Sequence, residues 1–566
     1  MIARRSLLAL AGGMLLAGDS PRPKRVVLPE PSGGDDTAAL NAALWAGAGG
    51  LVHGPKGARY QVSAPLVVHR GTTLIMSDCA VTLAAGSGCN LLTNAAVTDS
   101  GRDANITVIG GSWVRAAGVG GSGPDLHTLC FRRVDHLVLQ GLTVKTSGDK
   151  YAISLGDVTD ATVTRIQFEV QSDGVHIQGP AARTRVSAIR GVTGDDTVAI
   201  TPRDWQSYDD VSGPVTDTLI EDIDVVSAAA LVKVLGGSPE TAALRTTVRG
   251  VAGRAHNNVI WIGDDTAEWR TTGGRVDELT VEQVAAATVP GRHVVFLNGS
   301  NVGRVHVRGL TFADPEADGA VLRVAPLTAA TVAELAVEDV EVAHLGAGPL
   351  LSVDPTARLQ RLRVGRLTVA ASAAGATLLR IAGAIDDLNV QGVDAVTPGD
   401  SYLLELPDWA ASATVRQASL SDTAIIGRGG GLIAATAATH TLPRVAISGA
   451  QTTGKAWLAD LNTRTDLLLS HVTADDTTGG IARVRSSGAA VVRGNALRVA
   501  PGAQGVAVGS GGSVTSYVLE LAVDVSRLVR AEGSSATNTN ARLPCGAGPV
   551  VCTGLTWRNL NTGATY

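Results

Sequence analysis

Apolar and polar residues alternate in short runs along almost the whole chain, and the runs recur at a drifting interval. A stretch such as Ile106-Thr107-Val108-Ile109 is followed by a Gly or Asp turn and then by a second short apolar stretch. The second stretches align at 151–155, 175–177, 198–200, 231–235, 259–262 and 294–297. They continue at 321–324, 350–353, 378–381, 403–406, 432–434, 456–459 and 481–484. The period of two is that of strands with one buried face. A recurrence mostly in the twenties, with no helical pattern between strands, is the signature of a solenoid. A sandwich would show tighter strand spacing and Asn-Gly hairpin turns, which are scarce. The pattern predicts an all-β, right-handed, single-stranded parallel β-helix.

The edges of this pattern divide the chain. Residues 1–18 carry Arg4-Arg5 ahead of an apolar run and read as a signal-like or anchoring segment. Residues 19–50 hold a linker and a short helix, with Asp35 or Asp36 as its N-cap, expected to close the N-terminal end. The β-helix is expected over 51–525. Residues 526–566, richer in Ser, Asn, Thr and Gly, are expected to form a C-terminal cap or attachment module.

Composition sharpens this picture only in places. The 67 glycines and 3% aromatics suit many tight turns around a narrow aliphatic core. A net charge of −5 gives no electrostatic case for nucleic acid as a partner, and no apolar run is long enough to span a bilayer. The five cysteines show no CxxC spacing, so zinc is not expected. Cys545 and Cys552 flank a Gly-Pro turn and are candidates for a disulfide in an oxidising compartment. Cys79, Cys89 and Cys130 read as free thiols.

Candidate chemistry concentrates between Gln171 and Pro202. Ser172-Asp173-Gly174-Val175-His176-Ile177 is followed one repeat later by Gly194-Asp195-Asp196-Thr197-Val198-Ala199-Ile200, and Asp173 and Asp196 are 23 positions apart. On neighbouring strands, about 4.8 Å apart, three carboxylates would crowd one patch and drive their pKa values apart, as an acid/base pair requires. Strand parity aims Ser154, His176, Ala199, Lys233 and Trp261 outward in one stripe. Imidazole, cation and indole together suit a sugar. Tyr151 and Arg203 flank the stripe as further binding candidates. One acidic turn alone would be structural, because Asp accepts backbone N–H groups in turns; Gly263-Asp264-Asp265 is read as such a turn.

The Ser172-Asp173-Gly174 and Gly194-Asp195-Asp196 pair resembles the polygalacturonase family of glycoside hydrolases, within the wider pectate-lyase-like group, over roughly residues 35–265. The resemblance implies an inverting polysaccharide hydrolase without cofactor or metal. It implies Asp195 as general acid, with Asp173 and Asp196 holding and deprotonating the attacking water. Two family features are missing. Ala228-Ala229-Ala230-Leu231-Val232-Lys233-Val234 stands where the family has Gly-His-Gly, and its Arg-x-Lys is absent; Lys233 is the nearest basic substitute and Arg203 another.

A second, looser resemblance is to phage tailspike and minor tail proteins, carried by Asp35-Asp36-Thr37-Ala38-Ala39-Leu40 and the closing Thr562-Gly563-Ala564-Thr565-Tyr566. The first resemblance, with the twin-arginine-like Arg4-Arg5, implies a secreted or periplasmic monomer. The second implies a homotrimer in a virion tail that binds a host surface glycan. Two further readings remain open on the residues: a polysaccharide lyase, which would want calcium and a Lys or Arg base, and a purely adhesive solenoid.

Overall fold

The computed structural model describes residues 24–542, apart from 100, 121–125, 148–149, 205–209, 264–272, 300, 313–318 and short stretches beyond 477 (478, 486–487, 500–503, 509–512, 522–526, 532–534 and 539–540). The signal-like residues 1–18, Cys545, Cys552, Asp264, Asp265 and the closing Thr-Gly-Ala-Thr-Tyr lie outside the described residues.

The described chain winds into a parallel β-helix of about 16 turns, in which every strand pairing is parallel. Each middle coil contributes one long and one short strand. Val215–Ser227 stacks in register on Ala242–Ala255, while Val198–Thr201 stacks on Val232–Val234 and that on Ile260–Ile262. The sequence pattern reads the long element as a strand and a turn. It is instead one continuous strand, bent where single residues adopt left-handed backbone.

These bends fall in a column. Asp222, Gly250, Gln283, Gly309, Asp339, Arg366, Gly392, Asp422 and Gly449 succeed one another, each with φ between 50° and 70°. Gly has no Cβ to clash there and Asp tolerates the conformation through its short polar side chain, which is why the turn signal in the sequence was Gly or Asp. Asp217 and Asp160 occupy a second such corner and pair at 2.6 Å with Arg245 and Arg183 of the following coils. Those pairs are half exposed and contribute little each.

Inward positions alternate with outward ones and are filled by Val, Leu and Ile in one continuous core. The N-terminal helix, Thr37–Ala46, buries Leu40 and Leu44 over the first coil. Asn41 closes the contact, donating to Pro65 O and accepting from Val67 N. Asp36 is the N-cap residue but makes no side-chain capping bond. Asp35 instead accepts the Thr37 N–H at 3.0 Å, and Asp36 accepts those of Ser32 and Gln61.

Parallel stacking begins with Arg25–Val27 on Leu51–His53 and reaches Ala541–Arg542 on Ser513–Leu521, so the coil extends on both sides of residues 51–525. Cys79 and Cys130 are buried thiols and Cys89 is half-buried. No helix among the described residues is long and apolar enough to cross a membrane.

Candidate active site

Two residues ahead of each short strand, the chain turns outward, and successive coils bring these positions side by side. The Ala152 N–H donates to Asp173 O, the Gly174 N–H to Asp196 O and the Thr197 N–H to Ala230 O, each at 2.9 Å. Asp173 and Asp196 are therefore axial neighbours, as their 23-residue offset predicts. Asp195 projects beside them from a turn pinned by its own backbone oxygen, which accepts Ser227 Oγ at 2.7 Å and Thr193 Oγ1 at 2.9 Å. One oxygen from each of the three carboxylates lies within 4.8 Å of the others.

Close approach of the two turns depends on glycine. A Cβ on Gly194 would sit 2.3 Å from Gln171 O, against rigid backbone. Gly194→Ala is expected to push the second acidic turn away from the first and to cost about 1–3 kcal/mol. A lowered melting temperature, with a larger loss of site function than a core substitution of equal cost, would show it.

Each of the two buried carboxylates has a cation. Asp173 Oδ2 lies 2.7 Å from His176 Nδ1. Asp196 Oδ2 lies 3.1 Å from Lys233 Nζ, while its Oδ1 accepts the Ala230 N–H. Lys233 also stands 4.9 Å over the Trp261 ring, whose Nε1 donates to Asn298 Oδ1. These cations offset two of the three carboxylate charges and leave Asp195, among the described residues, without a close cation of its own.

The outward stripe is in register as expected, Ser154 beside His176, then Ala199, Lys233 and Trp261. Its accessibility is not. Ser154, His176 and Ala199 are 0%, 3% and 1% exposed. They are covered because Asp204 and Asp210 fold back over them from the segment after Val198–Thr201. Tyr151 donates its hydroxyl to Asp204 Oδ2 at 2.8 Å, and its ring lies flat on His176 with centroids 3.6 Å apart. Gln178 donates to Asp204 Oδ2 and accepts from Arg132 Nη2. Arg132 also reaches Ser154 Oγ and pairs with Asp210 at 2.8 Å.

What remains open is a pit of about 50 Å³, lined among others by Lys150, Tyr151, Asp173, Asp195, Asp196 and Lys233. That is room for one or a few waters, far below the several hundred Å³ of an ordinary ligand pocket. Of the expected binding residues, His176, Lys233 and Tyr151 border it. Trp261 stands one rung further along. Arg203 does not line it: its backbone packs against Gly237 and its charge acts on Glu240. Lys150, Asp204, Gln178 and Arg132 are site residues that the sequence reading missed.

Burial raises the pKa of all three site aspartates. For Asp195 the charge of Asp173 adds to it, while Lys233 and Lys150 oppose it. For Asp173 the main opposition is the His176 contact, and for Asp196 it is the Lys233 charge. Burial alone would push His176 down, but the charge of Asp204 and the contacts with both aspartates lift it to about 9. His176 is thus an imidazolium at neutral pH. The arrangement places two buried carboxylates, each beside a cation, next to a third, more open one that is crowded by negative charge.

No protein-family model matches the chain, and no curated protein matches it in sequence. Solved structures do. One is a tailspike protein double mutant of E. coli bacteriophage HK620 in complex with pentasaccharide, at 15% identity and a TM-score of 0.45, covering 71% of this chain and 76% of that one. The family 28 exopolygalacturonase of Yersinia enterocolitica matches at 10% identity and a TM-score of 0.35, covering 81% and 79%. The N-terminal fragment of bacteriophage Phi29 gene product 12 matches at 10% identity and a TM-score of 0.41, covering 94% and 93%. The likeness is one of fold.

Proposed function

We propose that this protein hydrolyses glycosidic bonds in an acidic or complex extracellular polysaccharide. The observation that carries this reading is the meeting of three carboxylates over a water-sized pit, two beside cations and one partly open. Asp195, with its proton favoured by burial and by Asp173, donates to the departing sugar oxygen. Asp173 and Asp196 hold and deprotonate a water in the pit. Inverting glycosidases generally leave about 6.5–9.5 Å between carboxyl groups for that water. Here the carboxylates stand closer, with one oxygen of each within 4.8 Å of the others. The inverting reading rests on the pit, which has room for a water, and the anomeric configuration of the first product tests it, a retained configuration overturning it. Lys150 and Lys233 at its edge favour an anionic sugar, and Trp261, one rung away, offers an apolar plate to another.

The test is a screen of the purified protein on acidic and neutral polysaccharides, bacterial capsular and exopolysaccharides included. Release of reducing ends without ultraviolet absorbance supports hydrolysis. Absorbance of an unsaturated uronide would make the protein a lyase. A glycan bound but never cut would leave a binding role, as in a virion tail protein, and solution mass would then separate a monomer from a homotrimer.

Lys233→Met provides a finer check. Without the ammonium, burial and the charge of Asp195 are opposed on Asp196 chiefly by the Ala230 N–H, and its pKa rises further. The acid limb of the pH–activity profile is expected to move to higher pH; an unmoved limb would remove Asp196 from the mechanism.

A further inference from the structure

Both ring nitrogens of His176 face carboxylate oxygens. Nδ1 is 2.7 Å from Asp173 Oδ2 and Nε2 is 3.2 Å from Asp204 Oδ2. A neutral imidazole has one N–H and would turn a lone pair toward one of these anions; the imidazolium presents an N–H to each, hydrogen-bonded to Asp173 and ion-paired with Asp204 outside hydrogen-bond geometry. Asp204 is in turn surrounded by donors. Its Oδ2 accepts the Tyr151 hydroxyl at 2.8 Å and the Gln178 amide at 3.1 Å. The orientation of that amide is fixed from behind, because Gln178 Oε1 takes the Arg132 guanidinium at 2.7 Å and leaves the NH₂ for Asp204. Tyr151 lies parallel to the imidazole, within 3°, so its π-face meets the cation and the ring cannot swing out.

Along the series from exposed Asp210 inward and back to the pit, charges alternate: Asp210, Arg132, Asp204, His176, Asp173. Of these, Asp173, His176 and Asp204 line the pit. The neighbours facing His176 are Asp173, Asp204 and Tyr151, with Arg132 and Lys233 beyond them and neutral His127 stacked behind Tyr151. We infer that Asp204 is a positioning residue that acts through His176, keeping the imidazole charged and aimed so that Asp173 remains an ionised base over the pit. This rests on the hydrolase reading. It adds to it a fourth carboxylate, buried at the edge of the pit, that sets the acid edge of the working pH range through the imidazole.

The test separates the electrostatic link from the catalysis. With ¹⁵N-histidine labelling, and His176→Gln to assign the signal among the 11 histidines, the His176 midpoint is read directly by NMR. Wild type is expected to hold the imidazolium up to pH about 9. In Asp204→Asn, which keeps shape and removes charge, the midpoint is expected to fall to about 6–7, the ordinary imidazole range. The acid limb of the kcat profile should move up, with KM unchanged, and Asp204→Glu should restore both. Should Asp204→Asn fail to fold, Tyr151→Phe, which removes one of the donors sharing the Asp204 charge and keeps the stack, should leave more of that charge to the imidazolium and move the midpoint up. A His176 midpoint unmoved in Asp204→Asn or in Tyr151→Phe overturns the inference, as does an activity loss without movement of the acid limb. If wild type cuts no glycan, the hydrolase reading fails, and the inferred role in catalysis with it. The histidine titration still decides whether Asp204 controls the charge beside Asp173.

Discussion

Asp195→Asn is expected to lower kcat about 10²–10⁴-fold while leaving glycan affinity essentially unchanged. The amide matches the carboxyl in shape but has no acidic proton for the leaving oxygen. Its neighbours are anchored independently, Asp173 by His176 and Asp196 by Lys233 and the Ala230 N–H, so the pit should survive the change. The pH profile carries the sharper signature. In wild type, activity should fall on the alkaline side as Asp195 loses its proton, at a pH raised by burial and by the charge of Asp173. In the variant that limb should vanish from the residual activity. Steady-state kinetics across pH, beside an equilibrium binding measurement, decide the matter. An equal loss of binding would mean that Asp195 holds the glycan instead of protonating it.

A second large effect is expected far from the site. Lys455 is fully buried, and its ammonium donates to Thr397 O at 2.7 Å and to Thr397 Oγ1 at 2.8 Å. Burial pushes its pKa down to about 8, with Asp400 pulling weakly the other way. Against an unfolded value near 10.5, that displacement is a destabilisation of about 3 kcal/mol. Its sign follows from proton binding. Between pH 8 and 10.5 the unfolded chain holds more protons than the folded one, so stability rises with pH across that window, and the full cost remains below it. Lys455→Met fills the same space without charge but takes the donor from two buried Thr397 acceptors, at about 1–3 kcal/mol each, so the pH dependence is the readout. The stability of the variant relative to wild type should fall as pH rises from 8 towards 10.5. A constant difference would place the ammonium in a better-solvated setting than its burial indicates.

The sequence was most legible where the coil repeats itself. The offset between Asp173 and Asp196, and the parity that lines up His176, Lys233 and Trp261, follow from a period of two within strands and from in-register stacking between them. Gln178 and Arg132 were open to the same argument, since each lies two residues beyond an outward position, His176 and Cys130, on its strand. Asp204 was not. It lies in the segment beyond the short strand Val198–Thr201, outside the repeat, and no periodicity encodes its contact with His176. The same segment explains why a stripe of outward side chains is half covered, and why Arg203 yields its place to the residue after it. At the first coil, the adjacent Asp35 and Asp36 share the acceptor role, and local pattern alone does not say which carboxylate meets the helix.

The register of the short strands has a mechanical consequence. From Lys233 the outward column passes through Trp261, Phe296, Arg323, Ser352, Arg380, Glu405, Ala434 and Asp460 to Arg483, nine steps in all. At about 4.8 Å each, Lys233 stands about 43 Å from that last rung, and Asp196 one step further. Each coil touches mainly its two neighbours, so a whole coil removed from the middle of this span would shorten the rod by one step and leave the chemistry untouched. The length of the rod is set in fixed increments of one coil, separately from the acidic cluster.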